Sequence, residues 1–88
     1  MIEKQFVISG SEGLHARPAS KLVGSLAPFQ SDISLIYKDK TVNMKSILGV
    51  MSLGVAPGSS VTVRADGSDE NEAIAKVEEV MKSEGLAE

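Results

Sequence analysis

Apolar and polar residues alternate over residues 2–8, placing Ile2, Phe6 and Ile8 on one face of an extended chain and Glu3, Gln5 and Val7 on the other. That pattern predicts a half-buried strand. Ser9-Gly10-Ser11-Glu12-Gly13 then reads as a polar, glycine-rich loop. Over 16–27 the period changes, with Ala19, Leu22, Val23 and Leu26 at the spacing of one helical face. Pro18 fits only the first turn of such a helix, and Pro28 closes it. Alternation returns over 32–37, where Ile33, Leu35 and Tyr37 share a side. The polar turn Lys38-Asp39-Lys40 leads into a second strand over 41–44, so the two form a hairpin. Ser46 before the apolar run Ile47–Leu53, and Gly54 after it, bracket a short helix. Ala56-Pro57-Gly58-Ser59 is a turn, and 60–66 is the last strand, with Val61, Val63 and Ala65 inward. A final helix opens at Ser68-Asp69-Glu70, buries Ala73, Ile74, Val77, Val80 and Met81, and stops at Gly85.

The order βαββαβα predicts an α+β open-faced sandwich, in which one four-stranded antiparallel sheet carries its helices on one face. Glu3, Gln5, Ser34, Thr62 and Arg64 suit the wet face, and Met1, Met44 and Met81 are expected to pack. The 88 residues make a single domain, 1–88, without repeats or linkers.

Composition narrows the function. The absence of cysteine removes disulfides and thiolate chemistry and is compatible with a reducing compartment. No apolar run approaches the roughly 20 residues of a membrane span, and Met1-Ile2-Glu3-Lys4 does not open a secretory signal, so a cytoplasmic location is expected. A net charge of −3 and only three aromatics (Phe6, Phe29, Tyr37) argue against direct nucleic-acid binding. So small a chain has little room for a deep substrate pocket, which puts function on its surface.

Gly13-Leu14-His15-Ala16-Arg17-Pro18 gathers what phosphoryl transfer needs. A neutral imidazole is a competent nucleophile near pH 7. A helix N-terminus offers unpaired amides and the positive end of the dipole. Arg17 adds a guanidinium able to hold phosphate through paired hydrogen bonds. These positive groups disfavour imidazolium, leaving His15 ready to attack, and later favour the anion it carries. Taken singly, a histidine beside a helix start is more often a cap or surface residue, and Arg17 is usually a solvated charge; together they point to an anion site. A metal centre is disfavoured, since no second histidine or cysteine completes a ligand set, and no cofactor is implied.

The chain resembles the HPr family, the histidine-containing phosphocarriers of the phosphoenolpyruvate-dependent sugar phosphotransferase system. The resemblance spans the whole chain. It rests on His15-Ala16-Arg17-Pro18-Ala19, similar to the family's active-site stretch, and on the run Met44–Gly54, similar to its regulatory one. It implies a stoichiometric carrier, not an enzyme. Enzyme I, charged by phosphoenolpyruvate, would phosphorylate His15 on Nδ1, and the group would pass to the IIA unit of a sugar permease, with Arg17 stabilising the phosphorylated state. Ser20 stands where many relatives carry threonine and keeps the hydroxyl.

Ser46 reads structurally as a helix cap. The resemblance to the Gram-positive proteins implies that HPr kinase/phosphorylase phosphorylates it, making a corepressor with the catabolite control protein and a poorer acceptor from Enzyme I. A phosphate there would still face a helix N-terminus, so the fold should survive it. A two-turn helix cannot bury every apolar residue. Val50 and Leu53 are expected in the core, whereas Ile47, Leu48 and Met51 are expected partly exposed beside His15, forming with Ala16 and Ser20 a patch for several partners. A monomer suits such a relay. Two other readings stay open: a purely regulatory protein acting through Ser46, whose known examples lack the active histidine, and a carrier of the parallel nitrogen-related system, which would not be expected to show the Ser46 motif. The acidic run Asp66 to Glu72 is read as a loop and a charged first helical turn, without activity.

Overall fold

A computed structural model describes residues 1–9 and 16–87. The elements follow the predicted order: β1 (Ile2–Val7), α1 (Ala16–Leu26), β2 (Asp32–Tyr37), β3 (Lys40–Asn43), α2 (Ile47–Ser52), β4 (Ser60–Asp66) and α3 (Glu70–Ser83). The strands form one antiparallel sheet in the order β1-β4-β2-β3. The last strand of the sequence is therefore a central one, and β1 and β3 are the edges.

Register explains the division of faces. Val63 aligns with Leu35, Leu35 with Val42, and Val61 with Phe6, so the inward positions of all four strands fall on one side. Onto that side α1 turns Ala19, Leu22 and Leu26, α2 turns Val50, and α3 turns Ala73, Ile74, Val77, Val80 and Met81, all buried. The row Gln5, Thr62, Ile36 and Thr41 lies on the opposite, solvated side. Burial of each Val or Leu in this core contributes roughly 1.5–3 kcal/mol. On the outer edge of the core-facing row stands Lys4, whose ammonium pairs with Glu78 of α3. An inward charge of this kind discourages pairing with another chain's strand.

Two details depart from expectation, and a third, at Asp69, has no signal in the sequence. Met44 and Met81 are core, but Met1 is 67 % exposed and its terminal amine lies 3.0 Å from Glu70 and 3.8 Å from Asp66. A chain terminus keeps its ammonium in water, and the side chain goes with it. Strand β3 ends at Asn43, and Met44 is buried with its N–H donated to the Ile33 carbonyl at 2.8 Å. Asp69 occupies the N-cap of α3 but makes no capping bond. Its carboxylate reaches across to the chain entering β2 instead. Oδ2 accepts the Gln30 N–H at 2.8 Å, and Oδ1 accepts the Ser31 N–H at 2.9 Å and the Ser31 hydroxyl at 2.5 Å.

That latch has a pH signature. The Ser31 hydroxyl, then the Gln30 amide, hold the Asp69 carboxyl below the usual aspartate range, because each bond favours the charged form. A carboxylate depressed in the folded state stabilises fully above its unfolded pKa, about 4, and loses that contribution as pH falls through the depressed value. Melting temperature should therefore drop below about pH 4, and Asp69→Asn should flatten that acid limb. Parallel acid limbs in the two proteins, followed by circular dichroism, would exclude the latch as a source.

Candidate functional site

His15, on which the sequence reading centres, lies outside the described residues, together with Gly10 to Leu14. What surrounds it in sequence is described. Helix α1 opens at Ala16, the next residue, so the strong helical period of 16–26 begins where Pro18 requires it. Pro18 and Ala19 are buried and anchor the first turn, whereas Ala16, Arg17 and Ser20 are exposed. The opening turn of any helix has amides without intrahelical acceptors and carries the dipole's positive end. In α1 no acidic side chain lies in that turn, while α3 has Glu70 and Glu72 there. The start of α1 is thus left positive by its own sequence, with Arg17 adding to it.

Ser46 is the N-cap of α2, as its position before the apolar run predicts. Its φ and ψ are −112° and 114°, and its Oγ accepts the Gly49 N–H at 3.1 Å. Such a cap contributes about 1 kcal/mol. The cap uses the oxygen only as an acceptor, so the hydroxyl hydrogen is not needed for it. Two residues that sequence reasoning passed over hold the serine in place. Asn43 accepts the Ser46 N–H on its carbonyl at 3.0 Å and the Lys45 N–H on its side chain at 2.9 Å. Lys45 in turn donates its ammonium to the Phe29 carbonyl at 2.5 Å, tying the entry of α2 to the segment after α1. The Asn at the end of β3 is a turn signal of the kind that could have found the first of these; nothing local announces the second.

Helix α2 packs on β3 and on α1. Val50 and Leu53 are buried, as expected for this helix. Ile47 and Met51 are half-buried against the core, and Leu48 is 81 % exposed. The three apolar residues anticipated at the surface are there. Their placement relative to His15 falls outside the described residues. The larger cleft, about 610 Å³ between β1 and α3, is lined by Lys4, Phe6, Glu78 and Lys82 among others and by none of these residues. No helix is long and apolar enough to cross a membrane, among the described residues.

A family model described as the PTS HPr component phosphorylation site matches residues 2–83. The histidine-containing phosphocarrier protein of Mycoplasma is 36 % identical over 99 % of each chain, with a TM-score of 0.97. An HPr from Thermoanaerobacter tengcongensis is 43 % identical, over 94 % of this chain and 93 % of its own, with a TM-score of 0.89. Crh, the catabolite-repression protein of Bacillus subtilis, is 40 % identical over 94 % and 95 %, with a TM-score of 0.75, and was solved as a swapped dimer.

Proposed function

Because this chain belongs to the HPr family of the phosphotransferase system, whose members carry phosphoryl groups rather than catalyse, we propose that His15 is its carrier residue. Enzyme I, charged by phosphoenolpyruvate, presents a phosphoryl group. The Nδ1 lone pair of neutral His15 forms a bond to phosphorus as the bond to the donor breaks, and the group leaves in the same way to a IIA unit. The observation that supports this most is the start of α1: it opens directly after His15, lacks any acid in its first turn, and exposes Arg17. Developing negative charge there meets fixed amides and a guanidinium rather than solvent alone. Arg17 stabilises the phosphorylated state. The test is incubation with Enzyme I and labelled phosphoenolpyruvate, which should give a label that is acid-labile and stable to base. A chain that takes no label is not a carrier.

Ser46 is the regulatory position in this reading. HPr kinase/phosphorylase esterifies its hydroxyl, and the modified protein acts with the catabolite control protein in repression. The cap geometry is compatible with this, since phosphate oxygens can accept the Gly49 N–H in place of the hydroxyl oxygen. Leu48, with Ile47, Met51, Ala16 and Ser20, forms the docking patch for these partners, in the cytoplasm and with the carrier as a monomer. Leu48→Asp should lower kcat/KM for transfer from Enzyme I by about 30-fold, the scale of an interface hot spot. Its melting temperature should stay put, because the side chain is exposed. Unchanged transfer kinetics would remove the patch from the interface. A purely regulatory role is the second reading, favoured by the similarity to Crh; the presence of His15 speaks against it.

A further inference from the structure

The acidic run at the end of β4 contains a chemically reactive pair. Asp66 is the one aspartate or asparagine of the chain that glycine follows; Asp32, Asp39, Asn43, Asp69 and Asn71 all precede side chains that shield the next amide. Its own side chain is 61 % exposed. Glycine at 67 is imposed by packing, since the close approach of Ser31 leaves no room for a Cβ there. The fold thus keeps an exposed carboxyl beside an unshielded amide nitrogen.

The backbone at this point is weakly held. Asp66 is the last residue of β4, and the pairing with β1 ends one residue earlier, where Ala65 faces Ile2. On the other side Asp66 stands opposite Asp32, the first residue of β2. Two like charges directly across a ladder repel each other, and strand ends open first. Against this, one contact restrains the pair. The Gly67 N–H is donated to Oε1 of Glu70 at 3.1 Å, which directs the nitrogen toward α3.

We propose that Asp66–Gly67 is a site of spontaneous isoaspartate formation, restrained by Glu70, whose conversion releases the Ser31–Asp69 latch as the protein ages. When the end of β4 opens, the Gly67 nitrogen bonds to Cγ of Asp66 and gives up its proton, and the hydroxyl of the protonated carboxyl leaves as water. A cyclic imide results. Water then adds to the main-chain carbonyl carbon of Asp66, the bond from that carbon to the Gly67 nitrogen breaks, and the nitrogen regains a proton. The chain now runs through Cγ, with one extra methylene in its backbone and a free carboxylate on the former main-chain carbon. Mass is unchanged. That methylene displaces Gly67, which is packed on Ser31, and with it Asp69 two residues on, whose carboxylate binds the Ser31 N–H and hydroxyl.

The test keeps the full chain for weeks in warm neutral buffer, folded by circular dichroism, beside Asp66→Glu and Glu70→Ala. Isoaspartate is counted by methyl transfer from labelled S-adenosylmethionine with an isoaspartyl carboxyl methyltransferase, and located by electron-transfer fragmentation. It should accumulate at residue 66 in the unaltered chain. Asp66→Glu, which would have to close a larger ring, should show none at that position. Glu70→Ala should convert about fivefold faster, the scale of one exposed hydrogen bond. The converted fraction should melt about 5 °C or more below the unconverted one, as for a loss of about 1 kcal/mol in a domain this size. A folded chain whose Asp66 stays normally linked, while the same chain in urea converts, overturns the proposal. Equal rates with and without Glu70, or equal melting of the two fractions, overturn it as well. None of these outcomes bears on the carrier reading.

Discussion

Replacing His15 with alanine should reduce labelling from Enzyme I to background, with no loss of fold. The expectation is absolute rather than graded because the chain has one histidine and no cysteine, so no second imidazole or thiolate can take the group. A carboxylate that took it would give an acyl phosphate, which base destroys, unlike the label expected here. Ser46 has a hydroxyl, but its oxygen is turned to the Gly49 amide, and among the described residues no basic side chain is hydrogen-bonded to it. A phosphate ester formed there would also survive acid, where phosphohistidine does not. Arg17→Ala provides the graded comparison. Losing a charge-assisted pair of hydrogen bonds, worth about 1.5–3 kcal/mol, should slow transfer roughly 10- to 150-fold while leaving the label acid-labile. Acid-labile label that persists in His15→Ala would move the site elsewhere, and full-speed transfer in Arg17→Ala would remove the guanidinium from it.

The largest loss of stability from a single small change is expected at Gly67. A Cβ added there would stand 2.6 Å from both the Cα and the Oγ of Ser31. Ser31 is 1 % exposed and cannot swing aside, because its N–H and hydroxyl are both bound to Asp69. Gly67→Ala must therefore either push the start of β2 out of place or break the latch. Overpacking of this kind costs about 3 kcal/mol at the upper end of its usual range, a fall in Tm of more than about 10 °C for a domain this size. Gly24→Ala is the matching control. A Cβ at that exposed helical site meets nothing within 4 Å, so the variant should melt at the same temperature or higher. Equal melting of Gly67→Ala and the parent chain would show that the 67–31 approach is not tight.

Much of this architecture is legible in the sequence. Strands β2 and β4 fall at 32–37 and 60–66 as predicted, because Ile33 and Leu35, and Val61, Val63 and Ala65, alternate without interruption and are bounded by turn residues. The exposure of Leu48 was also legible, since a helix of six residues has too little circumference to bury Ile47, Leu48, Val50 and Met51 together. What could not be read depends on partners distant in sequence. Asp69 stands at the opening of the last helix and serves as a cross-link, because its donors are 38 and 39 residues away. The tie from Lys45 to the Phe29 carbonyl is hidden for the same reason. The candidate site divides likewise: its chemistry is local, written in six consecutive residues, whereas the entry of α2 at Ser46 is held through Lys45 to the Phe29 carbonyl, a partner no local pattern announces.

The central place of β4 governs how the molecule comes into being. Strands β1 and β2 are both made early, yet each finds its main neighbour only when residues 60–66 have left the ribosome. Until then the nascent chain has the β2–β3 hairpin and nothing that can hold the N-terminal strand. Assembly of the sheet should thus wait until residues 60–66 are available and then proceed in one cooperative step, at the moderate speed of a topology rich in distant pairings.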